Sequence, residues 1–150
     1  MTVIAWDGRY LAGDKMTNFG GLHATVTKVH RINGRLVGGC GTQALIREMI
    51  DWISGGCDPT RFPAAQRDED KACSMLVVNA GGVVWQYETT PYPLVLENKF
   101  WAVGSGRDFA MMAMRLGKTA REAVVLTSQM CNDCGNGVDV VELPEWLPIR

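Results

Sequence analysis

Residues 1–14, MTVIAWDGRYLAGD, decide the fold, because two short apolar runs flank the dipeptide Asp7-Gly8. Asp-Gly favours a two-residue hairpin turn, in which both central residues adopt positive φ. The stretch therefore predicts an antiparallel hairpin whose first strand begins almost at the chain terminus. That strand opens on the hydroxyl residue Thr2, and taken alone a β-branched residue there needs no explanation beyond strand preference.

Thr2 gains a second reactive group if Met1 is removed, because an α-amine and a β-hydroxyl then lie on one residue. A free α-amine has an ordinary pKa of about 7.7–8.0, so part of it is unprotonated near neutral pH. Such an amine is able to act as the general base for its own hydroxyl.

Length and composition favour a single globular domain over residues 1–150, since 47% of the chain is hydrophobic. Lys and Arg total 15 against 16 for Asp and Glu, a balance that argues against nucleic acid or an anionic membrane as the main partner. There is no recognisable signal peptide and no apolar run of about 18 residues. We expect a protein of the cytoplasm, with no membrane partner.

The cysteines are odd in number and irregularly spaced, which is typical of reduced thiols in a cytosol; they are Cys40, Cys57, Cys73, Cys131 and Cys134. The last two form a C-x-x-C motif. A structural zinc site needs a second ligand pair, and a thioredoxin-type motif follows a strand, whereas this motif ends a helical pattern. A zinc or redox protein built on this motif remains the alternative from a different functional class.

The remaining patterns predict strands and helices in an antiparallel-rich order. Residues 2–40 predict four strands in two hairpins, with a polar loop at 15–22 and one strand at 23–32 on which Val26, Lys28 and His30 share a face. Asn33-Gly34 predicts the second hairpin turn. A helix is predicted from Thr42 to the Gly55-Gly56 pair, followed by a solvated loop over 57–72.

In the second half, strands are predicted at 74–80, 83–87, 94–96, 100–103 and 138–143, the last ended by Pro144. Ser105 and Thr119 each resemble the first residue of a helical capping box, for helices that run to Leu116 and to about Met130. This order of elements indicates the α+β class, with helices on the outside of antiparallel sheets.

Four stretches together resemble the proteasome-type threonine peptidases, and among them bacterial HslV and its phage-encoded relatives; they are MTVIAWDG (1–8), LAGD (11–14), VTKVHR (26–31) and AVGSGRD (102–108). They occur in the family's order across nearly the whole chain. The resemblance implies the four-layer αββα sandwich of the N-terminal nucleophile hydrolases. It also implies threonine endopeptidase activity, which the residues alone do not establish.

The resemblance assigns a role to each matching residue. Thr2 is the expected nucleophile once Met1 is removed, with its own amine as the base. Lys28 is expected to stabilise the developing alkoxide, and Asp14 to hold Lys28 charged and oriented. The backbone N–H of Gly39 is expected to bind the oxyanion, and Ser105 to orient the terminal amine.

The resemblance further implies unfolded polypeptides as substrates, a homo-oligomeric double ring and an ATP-dependent unfoldase cap, in a cytoplasm that is the host's if the gene is a phage's. No cofactor is required, but a sodium ion is expected on backbone carbonyls, at the positions of Ser128, Cys131 and Cys134.

Several alternatives stay open at this point. A catalytically inactive ring subunit would share the fold, and another alignment register would place Met1 at the nucleophile position. Each residue also has an ordinary explanation: Lys28 as a surface strand residue, Ser105 as a helix cap, Gly39 as part of a turn. Thr2 and Asp14 are twelve positions apart and Asp14 and Lys28 fourteen, because the first two hairpins are shorter than those of HslV.

Overall fold

The first hairpin forms the centre of one sheet in the computed structural model of the chain, which describes residues 2–143. Along the chain the elements are β1 (Ile4–Trp6), β2 (Tyr10–Asp14), β3 (Met16–Phe19), β4 (Leu22–Thr25), β5 (Val29–Ile32), β6 (Arg35–Cys40), α1 (Gln43–Ser54), β7 (Ser74–Val78), β8 (Val84–Tyr87), β9 (Leu94–Leu96), β10 (Trp101–Val103), α2 (Arg107–Arg115), α3 (Ala120–Met130) and β11 (Val138–Glu142). Met1 and Pro144 lie outside the described residues.

Two antiparallel sheets stack between two helical layers. One sheet has the strand order β10-β1-β2-β11, and the other runs β5-β6-β7-β8-β9 in chain order. Side chains of residues 3–6 alternate between the two faces of this sheet: Ile4 and Trp6 pack between the sheets, whereas Val3 and Ala5 pack under α2 and α3. A third apolar cluster lies between α1 and the second sheet. The predicted four-layer αββα sandwich is confirmed.

The segment 15–32 differs from its prediction. Residues 15–22, predicted to be a polar loop, contribute to a two-stranded hairpin of β3 and β4, which turns at Gly20 and Gly21 with φ of +57° and +93°. The single strand predicted over 23–32 is divided into β4 and β5, and Lys28 lies between them. Lys28 therefore belongs to neither strand, and its ammonium bonds to the buried Thr2 hydroxyl and Asp14 carboxylate. The shared strand face proposed for Lys28 is therefore wrong.

The two predicted capping boxes behave differently. At Thr119 the box is complete: its side chain accepts from the Glu122 N–H, and the Glu122 carboxylate accepts from the Thr119 N–H. At Ser105 the box is absent, since α2 begins after Gly106 without a side-chain cap. The Ser105 hydroxyl is instead directed to Thr2, so the local motif was misleading.

The segment 57–72 is more ordered than a solvated loop. It contains two short 3-10 helices, Pro59–Arg61 and Ala64–Arg67, and it buries Phe62 and Gln66. The Gln66 amide bonds to both the N–H and the carbonyl of Cys73, which fixes the segment to the start of β7. Between residues 2 and 143 no helix combines the length and the apolarity needed to cross a bilayer.

Candidate active site

Three buried polar side chains meet where β2 ends. The Lys28 ammonium lies 3.1 Å from the Thr2 hydroxyl oxygen and 2.9 Å from Asp14 Oδ1. The side chains of Lys28 and Asp14 are 1% and 0% exposed, and Thr2 is 4% exposed. In such a dry environment a positive charge acts strongly on a neighbouring oxygen, because little water screens it. The arrangement is able to stabilise negative charge that develops on the Thr2 hydroxyl.

The Asp14 carboxylate is held by four donors. Oδ1 accepts from Lys28 Nζ and from the Val3 N–H at 3.0 Å, and Oδ2 accepts from the N–H groups of Met16 at 3.2 Å and Gly135 at 3.1 Å. A buried carboxylate is costly unless its oxygens are hydrogen-bonded, and here both are. The donors fix the carboxylate in place, and through it the Lys28 ammonium.

Two glycines, Gly13 and Gly104, allow close packing around the site. A Cβ on Gly13 would lie 2.9 Å from Ile4 Cδ1 and 3.0 Å from Val29 Cγ1, so glycine leaves room for these two side chains between the sheets. Gly104 has a φ of +100°, and a Cβ there would collide with the carbonyl oxygen of Thr2. The strand β10 can therefore pass beside Thr2 only with glycine at its end.

The backbone of Thr2 is held by the turn that precedes α2. The Thr2 nitrogen donates to the Ser105 hydroxyl at 3.3 Å, and that hydroxyl lies 3.5 Å from the Thr2 carbonyl oxygen. The same carbonyl accepts from the Gly106 N–H at 3.2 Å. The structure thus brings together four of the predicted residues, Thr2, Asp14, Lys28 and Ser105, from distant parts of the chain.

An open cavity of about 780 Å³ gives access to Thr2 from solvent. Its wall comes from β3, from the turn after β6, from the segment before β7 and from the turn before α2; it includes Thr17, Asn18, Phe19, Cys40, Gly41, Thr42, Asp70, Lys71, Gly104 and Ser105. The cavity is large enough for several residues of an extended peptide. Burial raises the pKa of the Cys40 thiol, with hydrogen bonds to Ser74 acting in the opposite sense.

Gly39 lies next to the cavity, but it is not among the lining residues. It pairs with Met75 on β7, and a Cβ at this position would lie 2.6 Å from the Met75 sulfur and 3.1 Å from Ile46 Cγ2. Packing beneath α1 is therefore a reason for glycine that is independent of catalysis. Cys40 and Gly41, the next two residues, do line the cavity. The oxyanion role of Gly39 stays a prediction.

The predicted cation ligands lie at the end of α3 and in the loop that follows. The Ser128 hydroxyl donates to the Val124 carbonyl at 2.9 Å, and the Cys131 carbonyl accepts from the Cys134 N–H at 3.2 Å. No group of three or more His, Cys, Asp and Glu residues in the described range 2–143 is arranged to hold a metal ion. Burial, and then the nearby Asp14 charge, raise the pKa of the Cys134 thiol to about 12. The carbonyl site stays a prediction.

Sequence reasoning did not identify the backbone donors of the site. The N–H groups of Val3, Met16 and Gly135 hold Asp14, yet a backbone donor leaves no residue-type pattern in a sequence. Gly104 and Gly106 do leave a signal, because they flank Ser105 in the stretch AVGSGRD (102–108).

Solved structures with the same fold come from bacteria and eukaryotes. BPH from Thiobacillus denitrificans in complex with Epoxomicin superposes with a TM-score of 0.73 at 20% sequence identity, over 96% of this chain and 100% of that one. A second structure of the same BPH gives a TM-score of 0.70 at 20% identity, over 96% and 98%. Eukaryotic HslV from Trypanosoma brucei gives 0.69 at 19% identity, over 96% and 99%. The predicted resemblance to HslV is confirmed in the fold.

No protein-family model and no curated protein matches the sequence. At the identities of these structures, the similarity concerns the fold.

Proposed function

We propose that this chain is a threonine-type endopeptidase subunit, in which Thr2 becomes the N-terminal nucleophile after removal of Met1. One observation carries the proposal: the Lys28 ammonium lies 3.1 Å from the Thr2 hydroxyl oxygen and is held there by the buried Asp14 carboxylate. Lysine side chains are mostly exposed to solvent. The Lys28 side chain is instead buried against the hydroxyl of Thr2, a residue that lines an open cavity.

The reaction begins when the free amine of Thr2 accepts the proton of the Thr2 hydroxyl. The hydroxyl oxygen attacks the peptide carbonyl carbon, and the Lys28 charge stabilises the oxygen as it loses its proton. When the peptide C–N bond breaks, the protonated Thr2 amine gives its proton to the leaving amine. A water molecule, deprotonated by the same amine, then hydrolyses the ester on Thr2 and restores the hydroxyl.

Two other residues support these steps in the proposal. The Ser105 hydroxyl already accepts from the Thr2 nitrogen, so it would direct the lone pair of the free amine toward the hydroxyl. Gly39 would supply the backbone N–H for the oxyanion. Loss of a single oxyanion donor slows acyl transfer by on the order of 10²–10³.

We further propose a monovalent cation on the carbonyl oxygens of Ser128, Cys131 and Cys134. The donor set suits a hard cation, since carbonyl oxygens are its usual ligands and the Cys131 carbonyl retains one lone pair beside its bond to the Cys134 N–H. Such an ion would steady the loop from which Gly135 donates to Asp14.

The proposed substrates are unfolded polypeptides, and the proposed assembly is a homo-oligomeric double ring in the cytoplasm with an ATP-dependent unfoldase cap. The cavity beside Thr2 is open, so an isolated subunit would not select among peptides by enclosure. A ring would close the site off from folded proteins.

Hydrolysis of an unfolded polypeptide, measured on protein whose loss of Met1 has been confirmed, tests the proposal. We expect cleavage of reduced, unfolded casein that persists in a metal chelator, and no cleavage by Thr2→Val. A folded, Met1-free assembly with no hydrolysis would instead support the inactive ring subunit. Loss of activity with the chelator, together with bound zinc, would support the zinc protein.

A further inference from the structure

The loop after α3 carries a pair of thiols that the proposed reaction does not use. Cys131 and Cys134 place their sulfur atoms 3.6 Å apart. The Cys134 N–H donates to the Cys131 carbonyl, which closes a four-residue turn in which the two Cα atoms lie within about 7 Å. A disulfide needs its Cα atoms at about 4.4–6.8 Å and its sulfurs at about 2.05 Å. The pair is therefore positioned to close with a sulfur movement of about 1.5 Å.

The same loop contacts the candidate active site at Asp14. Gly135, the residue after Cys134, donates its N–H to Asp14 Oδ2 at 3.1 Å and accepts the Lys15 N–H at 2.9 Å. The Cys134 sulfur packs at Gly106, 3.4 Å from where a Cβ of that glycine would lie, and Gly106 holds the Thr2 carbonyl. The Cys134 sulfur is thus close to both Gly135, which holds Asp14, and Gly106, which holds Thr2.

The two thiols differ in access to a reagent. Cys131 is half-buried, whereas Cys134 is 2% exposed and packs in the cluster beneath α2 and α3. A small-molecule disulfide can reach Cys131 first, and Cys134 is then near enough to complete the exchange. To close the bond, the Cys134 sulfur has to move out of a well-packed cluster, or Cys131 has to move in.

We propose that Cys131 and Cys134 form a reversible disulfide by exchange with a small-molecule disulfide such as oxidised glutathione, and that its closure slows the reaction at Thr2. The slowed reaction rests on the proposed function, whereas formation of the disulfide does not.

The exchange is balanced in two steps. The Cys131 thiolate attacks one sulfur of oxidised glutathione; a mixed disulfide forms, and one glutathione thiolate leaves and is protonated. Cys134 then loses its thiol proton to solvent as its sulfur attacks the Cys131 sulfur, and the second glutathione leaves as a thiolate and is protonated. Two cysteines are oxidised, and one oxidised glutathione is reduced to two thiols. Closing the disulfide moves the loop at Cys134. Because Gly135 is the next residue, the hydrogen bond from its N–H to Asp14 weakens.

The test treats the full chain with oxidised glutathione, alkylates the remaining thiols, and maps disulfides by peptide mass spectrometry. We expect a bond between Cys131 and Cys134 that dithiothreitol removes. Hydrogen exchange of the Gly135 amide should become faster on oxidation, a readout that needs no peptidase activity. Hydrolysis should fall by about tenfold, as expected when one hydrogen bond to a buried charged group weakens, and should recover on reduction.

Two variants separate this site from the thiol in the cavity. In Cys131→Ser, the ratio of activity after oxidation to activity before it should stay near one. In Cys40→Ser, which removes the thiol that lines the cavity, the reversible loss should persist. The proposal is overturned if Cys131 and Cys134 both remain alkylatable, or if their disulfide forms while Gly135 exchange and hydrolysis are unchanged. A chain that forms the disulfide with faster Gly135 exchange but never hydrolyses peptides contradicts the proposed function alone.

Discussion

The pairing of Lys28 with Asp14 places two charged groups in the interior of the protein. Taking an ammonium and a carboxylate out of water is unfavourable, and the pair persists only where geometry and further hydrogen bonds compensate. Here they do, since backbone N–H groups from three separate segments donate hydrogen bonds to the Asp14 carboxylate. Lys28 makes this contact from the segment between β4 and β5, outside both strands.

Replacing Lys28 by Met should affect both activity and stability. The Asp14 carboxylate would lose the Lys28 ammonium while remaining buried, and breaking a buried pair lowers the unfolding free energy by about 3–5 kcal/mol. Hydrolysis should disappear, because no charge then stabilises the Thr2 oxygen. Urea denaturation and a peptide hydrolysis assay measure the two effects.

Lys15→Met is the matched control for Lys28→Met. Lys15 pairs with Asp139 at a partly exposed position, where an ion pair contributes about 0–1 kcal/mol. Hydrolysis should survive in this variant. If Lys28→Met were as stable and as active as Lys15→Met, the role of Lys28 in catalysis would be refuted.

At the residue scale, the sequence predicted the site to the extent that side chains mark it. Thr2, Asp14, Lys28 and Ser105 fall in the order of a known family, and the structure places them within contact of one another. Gly135 could not be predicted, because a backbone N–H carries no signature and because its distance in sequence from Asp14 is 121 residues.

At the scale of elements, two helix starts with nearly the same motif have different uses. The Thr119 hydroxyl caps α3, whereas the Ser105 hydroxyl turns away from α2 to the nitrogen of Thr2. A local pattern cannot distinguish the two, since the competing partner of Ser105 lies 103 residues away.

Thr119→Ala and Ser105→Ala should therefore give opposite results. Loss of the Thr119 cap should lower the unfolding free energy by about 1 kcal/mol and leave hydrolysis intact. Ser105→Ala should slow hydrolysis, with a change in kcat rather than KM, and have a smaller effect on stability. Thermal denaturation and steady-state kinetics separate the two; a stability loss without a kcat change in Ser105→Ala would show that Ser105 is only structural.

The turn between β10 and α2 allows a second comparison at this scale. Gly104 and Gly117 both have positive φ, at +100° and +92°, but a Cβ on Gly117 would meet nothing within 4 Å. Gly117→Ala should lower the unfolding free energy by about 1–2 kcal/mol through backbone strain alone. Gly104→Ala should lower it further and abolish hydrolysis, because its Cβ displaces the Thr2 carbonyl. Equal effects in urea denaturation would contradict this explanation.

The hairpin of β3 and β4 marks the limit of prediction for elements. Met16 is its only buried residue, and its large apolar residues Phe19 and Leu22 are exposed beside the turn, so the hairpin lacks the apolar periodicity that predicts strands. By contrast, β1, β2, β6 and β7 carry alternating or continuous apolar runs that pack against two layers, and they were predicted close to their observed positions.

At the scale of the whole molecule, the α+β class with helices outside antiparallel sheets followed from the order of elements, whereas the order of strands within each sheet did not. Which strands lie side by side depends on pairs far apart in sequence, such as β1 with β10 and β2 with β11. Only the resemblance to a known family predicted the four layers.

The outer face of α2 leads to a prediction about assembly. Phe109, Met112 and Leu116 recur at helical spacing and are 46%, 60% and 74% exposed. Soluble monomers seldom leave such a stripe in water. We expect multi-angle light scattering to give a mass several times that of one chain, and Leu116→Glu to reduce it. A wild-type protein that is monomeric at micromolar concentration would contradict the proposed ring.

The central claim is that Thr2 acts with a free amine beside its own hydroxyl. Its most direct test is mass spectrometry of the purified protein after incubation with epoxomicin, the compound present in one of the BPH structures. We predict a chain that lacks Met1 and carries a single adduct on Thr2, with no adduct on a folded Thr2→Val variant. A folded chain that retains Met1, or that loses it and leaves Thr2 unlabelled, would contradict the claim.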